Sequence, residues 1–194
     1  MSEEPASIEE KIILTTIDCI ERYGFSGATN RRISQAAGVN IAAINYYFRS
    51  KKALIQRVME ITLHNAFDLS NVPSMPEATV QQRCAAIFAE ILEGGIRYPN
   101  LTRAHFHDLL VEDQPDTLLQ HYVRQFVDEQ AQELLTRGLT LPPDEIKLAL
   151  IQIFSAVAMA VLAPSLIEQA GIDLHDPAAR QSYVKRLVEK LLVP

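Results

Sequence analysis

Two short helical patterns separated by one glycine occupy residues 29–52, TNRRISQAAGVNIAAINYYFRSKK. Thr29 is a good N-cap, because its hydroxyl oxygen can accept from the free N–H groups of the first helical turn. Gly38 ends the first pattern, and glycine readily adopts the left-handed conformation that a tight turn needs. Ala36 and Ala37 are small enough for a following helix to cross closely. The stretch therefore predicts a short helix, a tight turn and a second short helix.

The second short helix is expected to pack one side against the protein and to expose the other side to solvent. Asn40 is a suitable N-cap for this helix. Ile41 and Ile44 form its expected apolar face, with Ile44 pointing inward, and Phe48 is expected to pack in the core. Two short helices joined by a glycine turn, with an aromatic end, have the shape of a unit that places its second helix in the major groove of DNA.

The distribution of charge is more informative than its total. The 194-residue chain has a net charge of −6, which taken alone argues against a nucleic-acid partner. Residues 22–57 nevertheless contain no Asp or Glu. This acid-free window holds seven basic residues: Arg22, Arg31, Arg32, Arg49, Lys51, Lys52 and Arg57. Because the window coincides with the predicted helix-turn-helix, the distribution favours binding to nucleic acid.

Four of these cations lie at predicted helix starts. Arg31 and Arg32 are in the first turn of one helix, and Lys51 and Lys52 are in the first turn of another that Ser50 can cap. A cation at a helix N-terminus opposes the helix dipole, at a cost of about 0.3–1 kcal/mol. The same position, with its free N–H groups, is well suited to a phosphate. Solvated surface charges are the alternative, and the acid-free window favours phosphate contacts.

A specific motif runs through the same segment: Gly24-Phe25, Ala28-Thr29, Ile33, Ala36-Ala37-Gly38-Val39, Tyr47-Phe48-Arg49-Ser50-Lys51 and Leu54. In these residues the chain resembles the N-terminal domain of TetR-type transcriptional repressors, over roughly residues 8–57. The resemblance implies a DNA-binding domain followed by a variable helical domain that binds a ligand and forms a dimer. Arg32 and Lys52 stand where the family often has an acid, and Asn45-Tyr46 replaces a common aromatic–His pair. These departures leave the DNA sequence open.

Each type of candidate contact has its own chemistry. Asn can pair bidentately with adenine, and Ala or Ile can touch a thymine methyl group. Tyr hydroxyls more often position a phosphate than specify a base, and Tyr47 resembles the phosphate-contacting aromatic of the family. The predicted DNA-binding set is Thr29, Arg31, Arg32, Asn40, Ile41, Ala42, Ala43, Asn45, Tyr46, Tyr47, Lys51 and Lys52.

Helical periodicity continues to the end of the chain and predicts an all-α fold of about nine helices. We expect a helix-turn-helix DNA-binding domain at residues 1–52 and a helical-bundle ligand-binding and dimerisation domain at residues 53–194. Two prolines mark a break at residues 71–76. The predicted helices span residues 7–23, 29–37, 41–47, 51–69, 77–98, 99–110, 115–137, 144–171 (with a kink at Pro164) and 177–192.

The resemblance implies a small-molecule effector in the second domain. Such sites are mostly apolar with a few polar groups. Taken singly, each aromatic candidate is equally well explained as ordinary core. The candidate ligand-binding residues are Phe67, Cys84, Phe88, Tyr98, Phe106, His107, Tyr122, Phe126 and Phe154.

The last two helices are expected to form a homodimer. Residues 148–163 are apolar nearly all round and include small residues that permit close approach. A central helix buried within one subunit is the alternative. A two-fold dimer would place two reading helices about one DNA turn or more apart, as a pseudo-palindromic operator requires.

The sequence contains no GxSxG, HExxH, CxxC, glycine-rich phosphate loop or EF-hand pattern. His105 and His107 point to different sides of a helix, so they cannot readily share a metal ion. His107, Asp108 and Glu112 could share one, although a solvated helix face explains them better. Cys84 is a redox switch or, more simply, a small core residue. We expect no enzymatic activity, no cofactor and no metal.

The N-terminus is acidic with no apolar run after it, which does not predict a signal peptide. The apolar stretch at residues 148–163 is judged too short to span a bilayer. A cytoplasmic protein fits best. Two other function classes remain open: an all-helical carrier or enzyme whose basic segment is incidental, and an adaptor whose helix-turn-helix binds protein. The acid-free window counts against both.

Overall fold

A computed structural model describes residues 7–72, 78–111 and 116–193. The predicted all-α fold class is confirmed, since the regular structure in these ranges is helical throughout. The helices are α1 (Ile8–Gly27), α2 (Asn30–Ala37), α3 (Ile41–Phe48), α4 (Lys51–Phe67), α5 (Val80–Arg97), α6 (Pro99–His105), α7 (His107–Leu110), α8 (Leu118–Thr136), α9 (Pro143–Leu162), α10 (Pro164–Glu168) and α11 (Pro177–Leu191), with a 3₁₀ turn at Leu69–Asn71.

The described helices outnumber the predicted nine because two of those are each broken once. The helix predicted at residues 99–110 divides at Phe106, whose N–H bonds to Arg103 O three residues back and so tightens the turn. The helix predicted at residues 144–171 divides at Ala163, which has φ −137° and ψ 64°. Pro164 follows directly, and a proline disfavours the helical conformation in the residue before it.

Side-chain caps fix most helix starts. The Ser7, Thr29 and Asn40 side chains accept from backbone N–H groups at the starts of α1, α2 and α3, which confirms these three predicted caps. The starts of α5 and α8 differ from prediction: Thr79 and Thr117 form capping boxes with the glutamines three residues on. The predicted starts at 77 and 115 lie outside the described residues, as does most of the predicted break at 71–76.

The chain divides into two compact units with separate cores. Unit 1 comprises Met1–Asn65 and Asn100–Asp113, and unit 2 comprises Ala66–Pro99 and Gln114–Pro194. Within unit 1, α1, α2 and the segment from α6 share one apolar cluster. Within unit 2, α5, α8, α9 and α11 share the other. The functional division predicted at residues 52 and 53 stays a prediction.

Gly95 marks a close approach between α5 and α9 in unit 2. A Cβ atom at Gly95 would lie 2.7 Å from Val161 Cγ2, whereas a Cβ at Gly94 would meet nothing within 4 Å. The close helix contact predicted for this glycine pair is therefore confirmed at Gly95 alone.

The two glycines make a matched pair of tests. Gly95→Ala is expected to lower the free energy of unfolding by about 1–2 kcal/mol, because overpacking outweighs the better helix propensity of alanine. Gly94→Ala gains the propensity without the clash and is expected to raise that free energy by about 0.5–1 kcal/mol. Urea titration of both variants measures the difference. Equal effects at the two positions would contradict the close contact.

The length argument against a membrane span was wrong. The apolar stretch belongs to α9, whose 20 residues are long and apolar enough to cross a bilayer by length and composition alone. Burial explains this composition better, since Ile146, Leu150, Ile153 and Val157 are all buried in the unit 2 core.

Candidate nucleic-acid interface

The turn between α2 and α3 is a glycine C-cap. Gly38 has φ 63° and ψ 34°, its N–H bonds to Gln35 O, and the N–H of Val39 bonds to Ser34 O. This paired arrangement satisfies the last carbonyls of α2 and reverses the chain sharply. Of the two alanines expected to allow close packing, Ala37 is fully buried. Ala36 is exposed, so its predicted packing role is wrong.

Helix α3 separates a buried side from an exposed side. Ile44 is fully buried and Phe48 nearly so, as predicted. Ile41, predicted to share the apolar face, is 41% exposed, because its place in the first turn of α3 lies beyond the core. Ala43 is half-buried. The exposed residues at and on α3 are Asn40, Ile41, Ala42, Asn45, Tyr46 and Tyr47.

The two asparagines differ in what they can offer a base. Asn40 Oδ1 accepts from the Ala42 N–H at 3.0 Å, so its acceptor is committed to capping α3. Bidentate pairing with adenine needs both an acceptor and a donor on one amide. Asn45 is exposed, and its side chain makes no hydrogen bond within the described ranges. The geometry therefore favours Asn45 over Asn40 as a base reader.

The candidate basic residues also differ, both in exposure and in the contacts they make within the protein. Arg31 and Lys52 are exposed, Lys51 is half-buried, and Thr29 is exposed but accepts from the Arg32 N–H as the N-cap of α2. Arg32 is engaged within the protein, since its Nη1 donates to Gly27 O at 2.6 Å and its guanidinium lies 4.3 Å from the centroid of the Tyr23 ring. Arg32 thus ties α2 to the end of α1, and Arg31 is the freer candidate for a phosphate.

A strained residue joins α3 to α4. Arg49 has φ 63°, a left-handed value that costs a residue with a Cβ about 1–2 kcal/mol. Its N–H bonds to Asn45 O, and Ser50 Oγ then accepts from the Ala53 N–H to cap α4, as predicted. This sharp corner sets the start of α4, and with it Lys51, directly beside the end of α3.

Sequence reasoning missed the contacts that fasten α6 within unit 1. The carboxylate of Glu21 in α1 accepts from the backbone N–H groups of Asn100 and Leu101, at 3.1 and 3.0 Å through its Oε2. The His105 ring contacts Thr62 of α4, with 3.2 Å between Nε2 and Oγ1. These partners are 79 and 43 residues apart in the sequence, so no pattern among neighbouring residues predicts the contacts.

Five of the nine predicted ligand-binding residues come together in unit 2. The Phe67 ring lies 5.3 Å from Phe126, 6.0 Å from Tyr122 and 6.1 Å from Phe154, between ring centroids. Phe88 meets Phe126 edge to face at 5.7 Å. Phe88 and Phe126 are buried, whereas Phe67, Tyr122 and Phe154 are half-buried. We call these five residues the aromatic cluster.

The other four candidates lie elsewhere or have other roles. Cys84 is buried in the unit 2 core, and burial raises the pKa of its thiol to about 12, which disfavours the reactive thiolate. Tyr98 is 43% exposed. Phe106 and His107 belong to unit 1, where the His107 ring stacks on Phe25 with 4.4 Å between centroids.

The suggested metal site gains no support. His107 Nδ1 lies 3.4 Å from Asp108 Oδ1, and the third suggested ligand, Glu112, is outside the described residues. Within the described ranges, no group of three or more His, Cys, Asp or Glu side chains is arranged to hold a metal ion.

Helices α9 and α11 present different surfaces. The expectation of surplus apolar surface holds for α9, which exposes Leu148, Ile151, Gln152, Ser155 and Met159 at the spacing of one helical face. We call these five residues the α9 stripe. The expectation is wrong for α11, because its apolar side is used in the unit 2 core and its exposed side is polar: Gln181, Ser182, Lys185, Arg186, Glu189 and Lys190.

Comparison with known proteins agrees with this architecture. Residues 12–58 match the family described as bacterial regulatory proteins, tetR family. The chain is 27% identical over 196 residues to the probable HTH-type transcriptional regulator YttP of Bacillus subtilis (strain 168), covering 93% of this chain and 90% of that protein. It is 30% identical over 79 residues to the HTH-type transcriptional regulator BetI of Escherichia coli (strain K12 / DH10B), which is 40% of each chain.

Solved structures show the same fold at low sequence identity. A transcriptional regulator from Rhodococcus sp. superposes with a TM-score of 0.73 at 18% identity, covering 97% of this chain and 100% of the other. A TetR transcriptional regulator from Legionella pneumophila gives a TM-score of 0.71 at 17% identity, covering 97% and 98%. With the helix-turn-helix geometry of α2 and α3, these matches lead to one conclusion: residues 12–58 are a helix-turn-helix domain of the tetR family of bacterial regulatory proteins, and the whole chain is similar to helix-turn-helix transcriptional regulators.

Proposed function

We propose that the protein is a cytoplasmic homodimeric repressor that binds a pseudo-palindromic operator and leaves it when a small molecule binds. The observation that carries the proposal is the exposed side of α3, which combines Asn45, Tyr46 and small apolar residues in a segment without acids. Such a side can read base edges in a major groove while its buried side, through Ile44 and Phe48, holds it on the unit 1 core.

The α9 stripe supports the dimer. Its three large apolar side chains, Leu148, Ile151 and Met159, are 55%, 45% and 48% exposed. An exposed row of this kind on one helix is typical of an interaction surface, and Ser155 in the middle allows two helices to approach closely. A two-fold axis at this stripe would pair α9 with α9 of a second copy, with the polar side of α11 at the rim.

Helix α4 supports a route from effector to DNA. It starts with Lys51, a phosphate candidate, and ends with Phe67, the centre of the aromatic cluster. A ligand that moves Phe67 would therefore act on the helix whose first turn carries Lys51. To switch operator occupancy from nearly full to nearly empty, the ligand must prefer the non-binding geometry by about 10⁴-fold.

The phosphate assignment is tested by salt titration of operator fragments selected from DNA around the gene. Arg31→Ala and Lys51→Ala are each expected to weaken binding to every sequence and to reduce the slope of log K against log salt by about 0.9, the share of one phosphate. Fluorescence anisotropy at a series of salt concentrations gives both quantities.

Asn45→Ala is the contrasting variant. It is expected to keep the salt slope and to lose discrimination at one base pair, by about 1–3 kcal/mol. Unchanged slopes in the Arg31 and Lys51 variants would reject the phosphate contacts. A uniform loss of affinity in the Asn45 variant would reject its role as a base reader, and equal weak binding of all fragments by the parent protein would reject the proposed function.

A further inference from the structure

The ammonium group of Lys11, in α1, lies beside the turn between α2 and α3. A Cβ atom built on Gly38 would lie 3.9 Å from Lys11 Nζ, and both residues are exposed. Gly38 ends α2 and comes two residues before Asn40, the N-cap of α3. The fold of unit 1 therefore places a cation from α1 at the start of the helix whose exposed side is proposed to read DNA.

The charge pattern of the sequence does not predict this position for Lys11. Lys11 is the single basic residue of residues 1–21, which also contain six acids. It lies outside the acid-free window and just before the segment that matches the tetR family, so that match assigns it no role. Folding nevertheless brings its charge to the Gly38 turn, which belongs to the acid-free window. The basic surface of unit 1 thus gains a cation that the sequence places elsewhere.

Contacts within the protein do not explain the charge of Lys11. Its ammonium forms no ion pair in the part of the chain that the structure describes. Glu9 and Glu10 precede it directly, but residues one or two apart do not face each other on a helix. Lys11 also lies near the N-terminus of α1, where a cation opposes the helix dipole. The charge therefore does not stabilise α1 and is available to an external anion.

Lys11 and Lys51 lie at opposite ends of α3. Lys11 is beside the turn that precedes α3, and Lys51 begins α4 after the corner at Arg49 that follows α3. The length of α3, Ile41–Phe48, is about 12 Å. The major groove is also about 12 Å wide, and the phosphates of the two strands form its edges. Cations at the two ends of a helix in this groove can therefore each meet a different strand.

We propose that Lys11 binds a phosphate of the DNA strand opposite to the strand that Lys51 binds, so that the two lysines hold α3 between the two backbones of the major groove. The inference rests on the proposed DNA binding and adds to it a contact from α1. Phosphate contacts fix the register and orientation of a reading helix and carry no sequence information themselves. Lys11 thus contributes to the affinity for every DNA sequence.

Salt titration of Lys11→Gln in the full chain tests the contact, with the operator fragment that is used for Arg31→Ala. The variant is expected to bind about tenfold more weakly at about 0.1 M salt and to reduce the slope of log K against log salt by about 0.9 for each bound protomer. Lys11→Arg retains the charge and should retain the slope of the parent protein. Lys190→Gln is the matched control, because it removes the charge of an exposed lysine in unit 2 and should leave the slope unchanged.

Operator fragments with single uncharged phosphates test the strand assignment. In each fragment, one phosphate is replaced by a methylphosphonate, which has no charge. At the phosphate that Lys11 contacts, this replacement should weaken binding of the parent protein and should have little further effect on Lys11→Gln, since the two changes remove the same interaction. The phosphate found in the same way with Lys51→Ala should lie on the other strand, across the major groove.

Each other outcome overturns the inference. An unchanged slope in Lys11→Gln rejects the phosphate contact, and an equal loss of slope in Lys190→Gln shows a general effect of net charge and rejects it too. Phosphates on one strand for both Lys11 and Lys51 reject the arrangement across the groove. Salt-dependent operator binding by the parent protein keeps the proposed function in all these cases, whereas a parent protein that binds no DNA rejects both. Circular dichroism checks that each variant is folded, as expected for substitutions of exposed lysines.

Discussion

Replacing Ile151 by glutamate is expected to turn the proposed dimer into a monomer and to weaken operator binding by about 10²–10⁴-fold. Ile151 is 45% exposed in the single chain and lies in the middle of the α9 stripe. In a two-fold dimer through this stripe, each substitution occurs twice and close to the axis. Two carboxylates would then be buried in an apolar interface, where an unpaired charge is very costly.

The loss of operator affinity follows from the loss of the second reading helix. A dimer binds two half-sites, and the second contact forms at the high effective concentration that the first one provides. A monomer retains the phosphate and base contacts of one α3 only. Binding to an isolated half-site should therefore change much less than binding to the full operator.

Leu166→Glu is the matched control. Leu166 in α10 is 55% exposed, an apolar residue of comparable exposure in the same unit but outside the α9 stripe. Sedimentation velocity should show a monomer for the Ile151 variant and a dimer for the Leu166 variant, with full operator affinity in the latter. A dimeric Ile151 variant with normal operator binding would reject the α9 interface.

The sequence predicted those parts of the molecule that depend on near neighbours. Predicting the caps at Thr29, Asn40 and Ser50 requires only the next three residues of the sequence. Predicting the turn at Gly38 requires only that glycine has no side chain. The inward position of Ile44 follows from helical spacing within eight residues. These local rules were sufficient to predict the helix-turn-helix and the exposed side of α3.

The sequence failed where the deciding contact is distant along the chain. The bond from Asn100 N–H to Glu21 spans 79 residues, so unit 1 acquires a segment that periodicity assigned to the second domain. The contacts of Arg32 with Gly27 O and the Tyr23 ring were not predicted either, and its predicted phosphate contact stays a prediction. The sequence also gives no signal that Gln130 of α8 is only 6% exposed, because a glutamine on a helix is ordinarily exposed.

His105 is expected to lower the stability of the folded protein in acid. Thr62 Oγ1 donates its proton to Val58 O at 2.8 Å, so toward His105 it can only accept, and His105 Nε2 must carry the proton of that hydrogen bond. His105 Nδ1 is then a bare nitrogen, buried without a partner in the described structure. Protonation would place a charge there with nothing to stabilise it.

The sign of the effect follows from the two pKa values. Burial lowers the pKa of His105 from 6.5 to about 4 in the folded protein. Between these values the unfolded chain binds a proton that the folded chain does not, so stability falls as the pH falls. The contribution is complete above pH 6.5 and lost below about pH 4, and it amounts to roughly 3 kcal/mol.

His105→Asn is expected to flatten this part of the pH profile, because asparagine does not titrate. The free energy of unfolding, measured by urea titration at intervals from pH 7 to pH 4, should fall by roughly 3 kcal/mol less in the variant than in the parent. Altered packing in the variant lowers the free energy of unfolding by the same amount at every pH, so it leaves the slope of that free energy against pH unchanged. His64→Asn is the control, since His64 is exposed and its removal should retain the slope of the parent. If His105→Asn and the parent lose stability in parallel over this range, another group carries the acid sensitivity and the buried neutral imidazole is not its cause.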